Sequence, residues 1–244
     1  MIRYGIIGYG RIGQRLAARL PGAVAILKRG STLDSFIAAR PSVAIECASP
    51  QALAEYGPAL LTAGIDLVPL SLTALADPDV EHRLMAAAKA GPGRLEIPPG
   101  AIGTLDLLAT AREDGLKRVV YRQLKSPTMW QLTPAAALAD LVSVRDRQVF
   151  FRGSVREAAR RFPGNLNTSV GVALAGLGLD ATEAELVADP TLSETAHELE
   201  IHAAPGQAVL KLGGRAVVPD GDPVDYTTFS LIRILKRREA RVVI

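Results

Sequence analysis

An apolar run, Tyr4–Ile7, breaks into Gly8-Tyr9-Gly10-Arg11-Ile12-Gly13 and continues as a helix-forming stretch over residues 11–20. Few folds accept a buried strand that ends in glycines at this spacing and opens directly into a helix. The first glycine permits the tight turn, the second lets the backbone approach a pyrophosphate, and the third lets helix and strand pack closely. Phosphates then meet the free N–H groups and the positive end of the helix. The segment therefore predicts a dinucleotide-binding βα unit, with Gly8, Tyr9, Gly10, Arg11, Ile12 and Gly13 around the nucleotide. A glycine turn with a purely structural purpose is the alternative.

The first hundred residues alternate between strand-like and helix-like segments. Strands are expected at 3–7, 23–27, 43–47, 66–70 and 94–97, and helices at 11–20, 51–63 and 77–90. Such alternation implies parallel strands with right-handed crossovers, hence an α/β Rossmann-type doubly wound sheet. Ser49-Pro50 and Asp77-Pro78 read as helix starts, each a capping side chain followed by proline. Residues 31–40 are short for a crossover helix.

The pattern changes after Gly103. A helix is expected at 104–114 and an extended segment at 117–124. A proline-punctuated stretch, 125–134, then leads to an alanine-rich helix. Further on come a strand at 148–152, helices at 154–161 and 166–179, and strands at 182–188, 196–203 and 207–212. Strands clustered after helices predict a second, smaller α+β domain with a mostly antiparallel sheet. The expected division is 1–103 for the dinucleotide-binding domain and 104–219 for catalysis, substrate and dimerisation. The C-terminal segment, about 220–244 with its helix near 226–237, is expected to pack back on the first domain.

Composition narrows the function classes. With 28 Lys and Arg against 25 Asp and Glu, the net charge of +3 gives no basis for a nucleic-acid partner. One cysteine, Cys47, excludes an internal disulfide and a thiolate zinc framework, and no metal site is expected. No apolar stretch reaches transmembrane length and no signal peptide is recognisable, so no membrane partner and a cytoplasmic location are expected.

The end of the second strand normally carries an acidic side chain for the adenosine ribose. Here it carries Lys28 and Arg29. Two cations attract a 2′-phosphate that a carboxylate would repel, so NADP is expected to be accepted at least as well as NAD. Ser49 lies at a strand's C-terminal edge, where this fold places ligands.

Of the three histidines, His82 sits in a charged helical stretch and reads as a surface residue. Period-two alternation over 196–203 places His197 with Leu199 and Ile201, and Glu198, Glu200 and His202 on the opposite face. Geometry alone leaves His197 open as a packed cleft histidine or as an acid–base group that titrates near neutrality. Lys125 is open as a carboxylate-facing residue or a solvated loop lysine. Asn165 and Asn167 are open as ligands or helix caps. Cys47 ends an apolar strand and reads as a packed small residue.

Several stretches, taken in order, resemble the L-aspartate dehydrogenase family. They are GYGRIG from Gly8, ECAS from Glu46 and IPPGAIGTLD from Ile97. KSP from Lys125, FRGSVREAARRFPGNLNTSVGVALAG from Phe151 and AHELEI from Ala196 continue the match. The resemblance implies that His197 is the catalytic acid–base residue and that Ala101 and Asn167 contact the cofactor. It also places Ala48, Ser49 and Ser71 in loops beside the nucleotide and implies a homodimer.

Three departures bear on specificity. Ser71-Leu72-Thr73-Ala74 and Pro98-Pro99-Gly100-Ala101 replace the family's usual S-V-G-A and P-S-G-A, and Thr195-Ala196 precede His197 where relatives often have asparagine nearby. The family's substrate-holding N-P-x-T-S segment has two registers here, one ending in Asp225 and Tyr226, the other in Thr227 and Thr228. Asp225, Thr227 and Thr228 are therefore substrate candidates together with Lys125.

The resemblance implies NAD(P)-dependent oxidation of L-aspartate to iminosuccinate, which hydrolyses to oxaloacetate and ammonia or leaves for NAD synthesis. A dehydrogenase or imine reductase acting on a different amino acid is one alternative. A catalytically silent NAD(P)-binding regulator is another.

Overall fold

The computed structural model describes residues 2–113, 115–137, 139–213 and 226–243. The chain forms two compact units, Met1–Ala101 with Tyr226–Ile244, and Ile102–Asp225.

The first unit contains β1 (Tyr4–Ile7), α1 (Arg11–Arg19), β2 (Ala25–Leu27), α2 (Leu33–Ala38), β3 (Val43–Glu46), α3 (Pro50–Thr62), β4 (Asp66–Pro69), α4 (Pro78–Ala90) and α9 (Tyr226–Arg237). Its strands pair in parallel in the order β2-β1-β3-β4. Alternation gives each strand an apolar side chain for each face. Tyr4, Ile6, Val43, Ile45 and Val68 meet Leu16 of α1 and Leu231, Ile234 and Leu235 of α9 in one buried cluster. The spacing of those three α9 residues makes a single apolar stripe, each side chain worth roughly 1.5–3 kcal/mol when withdrawn from water. Gly57 of α3 fits where a Cβ would lie 2.7 Å from Leu84 of α4 and 3.3 Å from Leu67 of β4. The sheet is thus a parallel, Rossmann-like sheet with helices on both faces.

The caps follow from local chemistry. Ser49 accepts a hydrogen bond from the Ala52 amide at the start of α3, and Asp77 accepts one from Asp79 at the start of α4, each with proline next in the chain. The short segment 31–40 holds only the six-residue α2, capped by Thr32. The strand expected at 94–97 reduces to one parallel bridge, Leu67↔Leu95. Pro92, Pro98 and Pro99 bracket it and supply no amide N–H to extend a ladder.

The second unit contains α5 (Leu105–Glu113), β5 (Leu116–Lys125), α6 (Pro127–Gln131), β6 (Gln148–Ser154), α7 (Val155–Arg161), α8 (Asn167–Ala175), β7 (Glu183–Ala188), β8 (Ala196–Ala203) and β9 (Gly206–Leu212). Sheet order is β6-β7-β5-β8-β9, mixed, with only β5 and β7 parallel. One face packs Val119, Tyr121, Leu199 and Ile201 against Leu108 of α5 and Val172 of α8. The alternate residues carry charge: Arg118 pairs with Glu183 at 2.7 Å, Arg122 with Glu200 at 2.9 Å and Arg147 with Glu198 at 2.7 Å.

Two helices differ from expectation. The alanine-rich helix beyond residue 134 is a single 3₁₀ turn, Pro134–Ala137. The Asp140 carboxylate accepts from the amides of Val142 and Ser143, offering that backbone a turn in place of a helix. Ser126 instead caps α6 within the proline-bearing stretch. The helix expected over 166–179 stops at Ala175, where Gly176 follows and Gly178 takes φ +84° and returns its N–H to Ala173 O.

Candidate active site

Two glycines of the opening motif have a measurable steric reason. Gly8 has φ +93°, and a Cβ there would lie 2.6 Å from Ala48 Cα. A Cβ on Gly13 would lie 2.2 Å from the Gly8 carbonyl oxygen. At Gly10 a Cβ would meet nothing within 4 Å, and no side chain caps α1. An open backbone at the uncapped start of a nine-residue helix fits a pyrophosphate. Tyr9 and Arg11 are exposed beside it, and Ile12 is half-buried.

The other expected nucleotide residues follow the parallel strands to the same sheet edge. Lys28 and Arg29 are exposed just beyond β2, in a turn where Ser31 N donates to Lys28 O at 2.9 Å. Ala48 and Ser49 follow β3, and Ser71 follows β4. Ala101 lies in the turn between Gly100 (φ +55°) and Gly103 (φ +68°).

A buried carboxylate ties two of these loops together. Glu46, 1% exposed, accepts from Ala48 N at 2.7 Å, Ser49 N at 3.0 Å, Ser71 N at 3.1 Å and Ser71 Oγ at 2.9 Å. Burial pushes its carboxyl pKa up, against the downward pull of those four donors. Ser71 thus spends its amide and hydroxyl on Glu46. The neighbouring Cys47 thiol, pushed up to about 12 by burial and by Glu46, stays protonated and donates to the Gly8 carbonyl at 3.3 Å.

In the second unit, His197 is half-buried on β8, and its Nδ1 lies 2.7 Å from the Tyr121 hydroxyl on β5. Burial raises the Tyr121 phenol far above its ordinary range, so it remains a neutral hydroxyl, and it also bonds the Thr168 hydroxyl in the first turn of α8. Lys125 ends β5 on the face of Tyr121, by period two. It is 9% exposed, donates from Nζ to Asn165 Oδ1 at 3.1 Å and lies 4.8 Å from the Trp130 ring centroid. The solvated-loop alternative for Lys125 is therefore overturned.

Asn165 does not cap α8; Leu166 takes the cap position without a side-chain bond, and Asn167 is the first helical residue. The second unit thus brings together His197, Lys125, Asn165 and Asn167 around the ends of β5, β8 and α8. Thr227 and Thr228 belong to the first turn of α9 in the other unit, Thr228 buried. Asp225 lies outside the described residues. His82 is exposed on α4.

The comparisons with known proteins bear on both units. Residues 27–98 match the NAD-binding domain of homoserine dehydrogenase, and residues 106–238 match the C-terminal domain of aspartate dehydrogenase. The chain is 36% identical to an L-aspartate dehydrogenase of Serratia proteamaculans over 95% of each chain.

The chain belongs to the L-aspartate dehydrogenase family.

An L-aspartate dehydrogenase of Ralstonia pickettii is 40% identical over 84% of this chain and 77% of that one. The crystal structure of aspartate dehydrogenase from Thermotoga maritima superposes with a TM-score of 0.78 at 26% identity, covering 100% of this chain and 99% of that one. Membership makes the protein an oxidoreductase with a nicotinamide-nucleotide domain. No helix among the described residues is long and apolar enough to cross a membrane.

Glu46, Tyr121 and Thr168 touch the candidate site residues and are not singled out by the sequence: Glu46 holds Ala48, Ser49 and Ser71, Tyr121 meets His197, and Thr168 meets Tyr121. Glu46 had a signal, an acidic side chain closing a strand that is otherwise apolar. Tyr121 and Thr168 had none, because Tyr121 meets His197 only through strand register, and Thr168 meets Tyr121 only through helix docking.

Proposed function

We propose that this protein is an NAD(P)-dependent L-aspartate dehydrogenase in which His197 moves the proton. The observation that carries this reading is the 2.7 Å bond between His197 Nδ1 and Tyr121. In the tautomer this reading requires, Nδ1–H donates to the Tyr121 oxygen. That arrangement leaves the lone pair on Nε2 and makes Nε2 the base. Hydride leaves Cα only after the ammonium has lost a proton, since the nitrogen lone pair must form the C=N bond. His197 Nε2 takes that proton, passes it to solvent, and in its neutral form then activates water against the imine. The buried Lys125 ammonium, held by Asn165, supplies the charge that a substrate carboxylate requires.

The open backbone at Gly10, with Gly8 and Gly13 shaping the turn, holds the dinucleotide phosphates, while Ala48, Ser49, Ala101 and Asn167 contribute further contacts. When bound, the nicotinamide supplies the acceptor for the hydride. Lys28 and Arg29 favour NADP at least as much as NAD, because both are cations and the usual ribose-binding carboxylate is missing. The reading carries with it a homodimer. Its support is the outer edge of β9, which no described strand pairs and where Val209 is 61% exposed. An enzyme drawing on the cell's nicotinamide pool belongs in the cytoplasm.

An absorbance assay at the reduced-nicotinamide band tests the reading. L-Aspartate with each oxidised cofactor, and oxaloacetate plus ammonia with each reduced one, are expected to turn over. Nucleotide binding without turnover in either direction overturns it.

A further inference from the structure

The proton path leaves one buried group beside His197 unused. Gln123 stands directly opposite His197 in the β5–β8 ladder. Directly opposed residues on neighbouring strands hold their Cβ atoms about 5 Å apart on a common face. Gln123 lies two residues from Tyr121 and two from Lys125, so all three share the face that carries the imidazole. Its side chain is 3% exposed, and its amide oxygen has no hydrogen-bond partner among the described residues. An acceptor shut away from water without a donor bears its full desolvation penalty, which an apolar side chain of the same length would avoid.

What this oxygen lacks is a donor. The carboxylates of an amino dicarboxylic acid only accept hydrogen bonds at neutral pH, whereas its ammonium donates three. We propose that Gln123 Oε1 accepts a hydrogen bond from the substrate's amino nitrogen, beside the proton that His197 removes. This rests on the reading of His197 as the amine-deprotonating base. Lys125 and Gln123 then divide recognition between them, the cation taking an anionic end and the amide oxygen taking the amine. Gln123 is the contact that separates an α-amino acid from the same carbon skeleton without nitrogen. It also gives free ammonia or the imine N–H a partner in the reductive direction.

Replacement of Gln123 by methionine in the full-length enzyme tests this, since methionine keeps the length and removes the acceptor. Calorimetry on the cofactor-free protein is expected to show L-aspartate binding weakened by ~10-fold, the scale of one hydrogen bond to a charged group, and succinate binding changed by less than ~2-fold. In the reductive assay the KM for ammonia rises by a similar factor, with the KM values for oxaloacetate and reduced cofactor held. The variant is expected to melt no lower than the wild type, because it loses a buried unpaired polar atom. Equal weakening of both ligands, no change in either, or a variant that melts lower or fails to fold overturns the proposal. Absence of turnover in the wild type sinks the functional reading by itself, while the contrast between aspartate and succinate still decides the amide's role.

Discussion

Tyr121 Oη and His197 Nδ1 meet at 2.7 Å across two antiparallel strands although 76 residues separate them in the chain. Removing the hydroxyl while keeping the ring frees the imidazole to place its proton on either nitrogen. Tyr121→Phe is expected to lower kcat by roughly 10-fold or more with the KM for aspartate nearly unchanged, and to move the acid limb of the pH–rate profile. A profile superimposable on the wild type refutes the tautomer assignment.

His197→Ala removes the base itself. Turnover is expected to fall at least ~100-fold while nucleotide affinity, read by fluorescence titration, stays within a factor of about two. Near-normal turnover in this variant eliminates His197 as the base.

Glu46→Gln keeps the size of the side chain and replaces one acceptor oxygen with a donor. With its remaining oxygen on the three donors now at Oε1, the new NH₂ faces the Ser71 amide. The expected cost is about 1–3 kcal/mol in urea unfolding, the range for a buried donor left unsatisfied, together with a higher KM for the nucleotide. The pH dependence has a definite sign. Burial raises the Glu46 pKa in the folded state, so its contribution to stability is greatest below the ordinary carboxylate range. It falls as pH rises from that range through the folded-state value.

Lys28→Ala combined with Arg29→Ala tests nucleotide choice. The KM for NADPH is expected to rise from several-fold to about 10-fold, the scale of two exposed ion pairs, with little change for NADH. Parallel rises for both cofactors remove the 2′-phosphate assignment.

Asp66 responds to acid in the opposite direction to Glu46. Burial favours its neutral form, but hydrogen bonds from Arg238 and from the Arg94 amide and side chain prevail and hold its pKa below the usual carboxylate value. Its stabilising contribution is present above the unfolded pKa, near ~4, and is lost as pH falls through the lower folded value. Arg238→Met is expected to shrink the difference between urea midpoints at neutral pH and below pH ~3.5. An undiminished difference shows that this tie carries none of the acid sensitivity.

Much of the first unit was legible because its signals are local. The glycine spacing and the Ser49-Pro50 and Asp77-Pro78 starts all act within a few residues. The alternation that put His197 with Leu199 and Ile201 matches the observed face. The partners were not legible. Tyr121 meets His197, and Gln123 stands opposite it, only through a ladder between distant strands, and Thr168 reaches Tyr121 only once α8 has docked. The lost strand near residue 95 and the missing alanine helix show proline and a side-chain turn overriding local propensity.

The first sheet draws its covering helix α9 from the far end of the chain. A ribosome adding about 5–20 residues per second therefore needs on the order of ten seconds to deliver Leu231, Ile234 and Leu235 after Ala101 has emerged. Through that interval Tyr4, Ile6, Val43 and Ile45 lack their last cover. Until α9 has been made, the nascent nucleotide domain leaves that apolar face uncovered, and the protein's yield should depend on how quickly the helix follows.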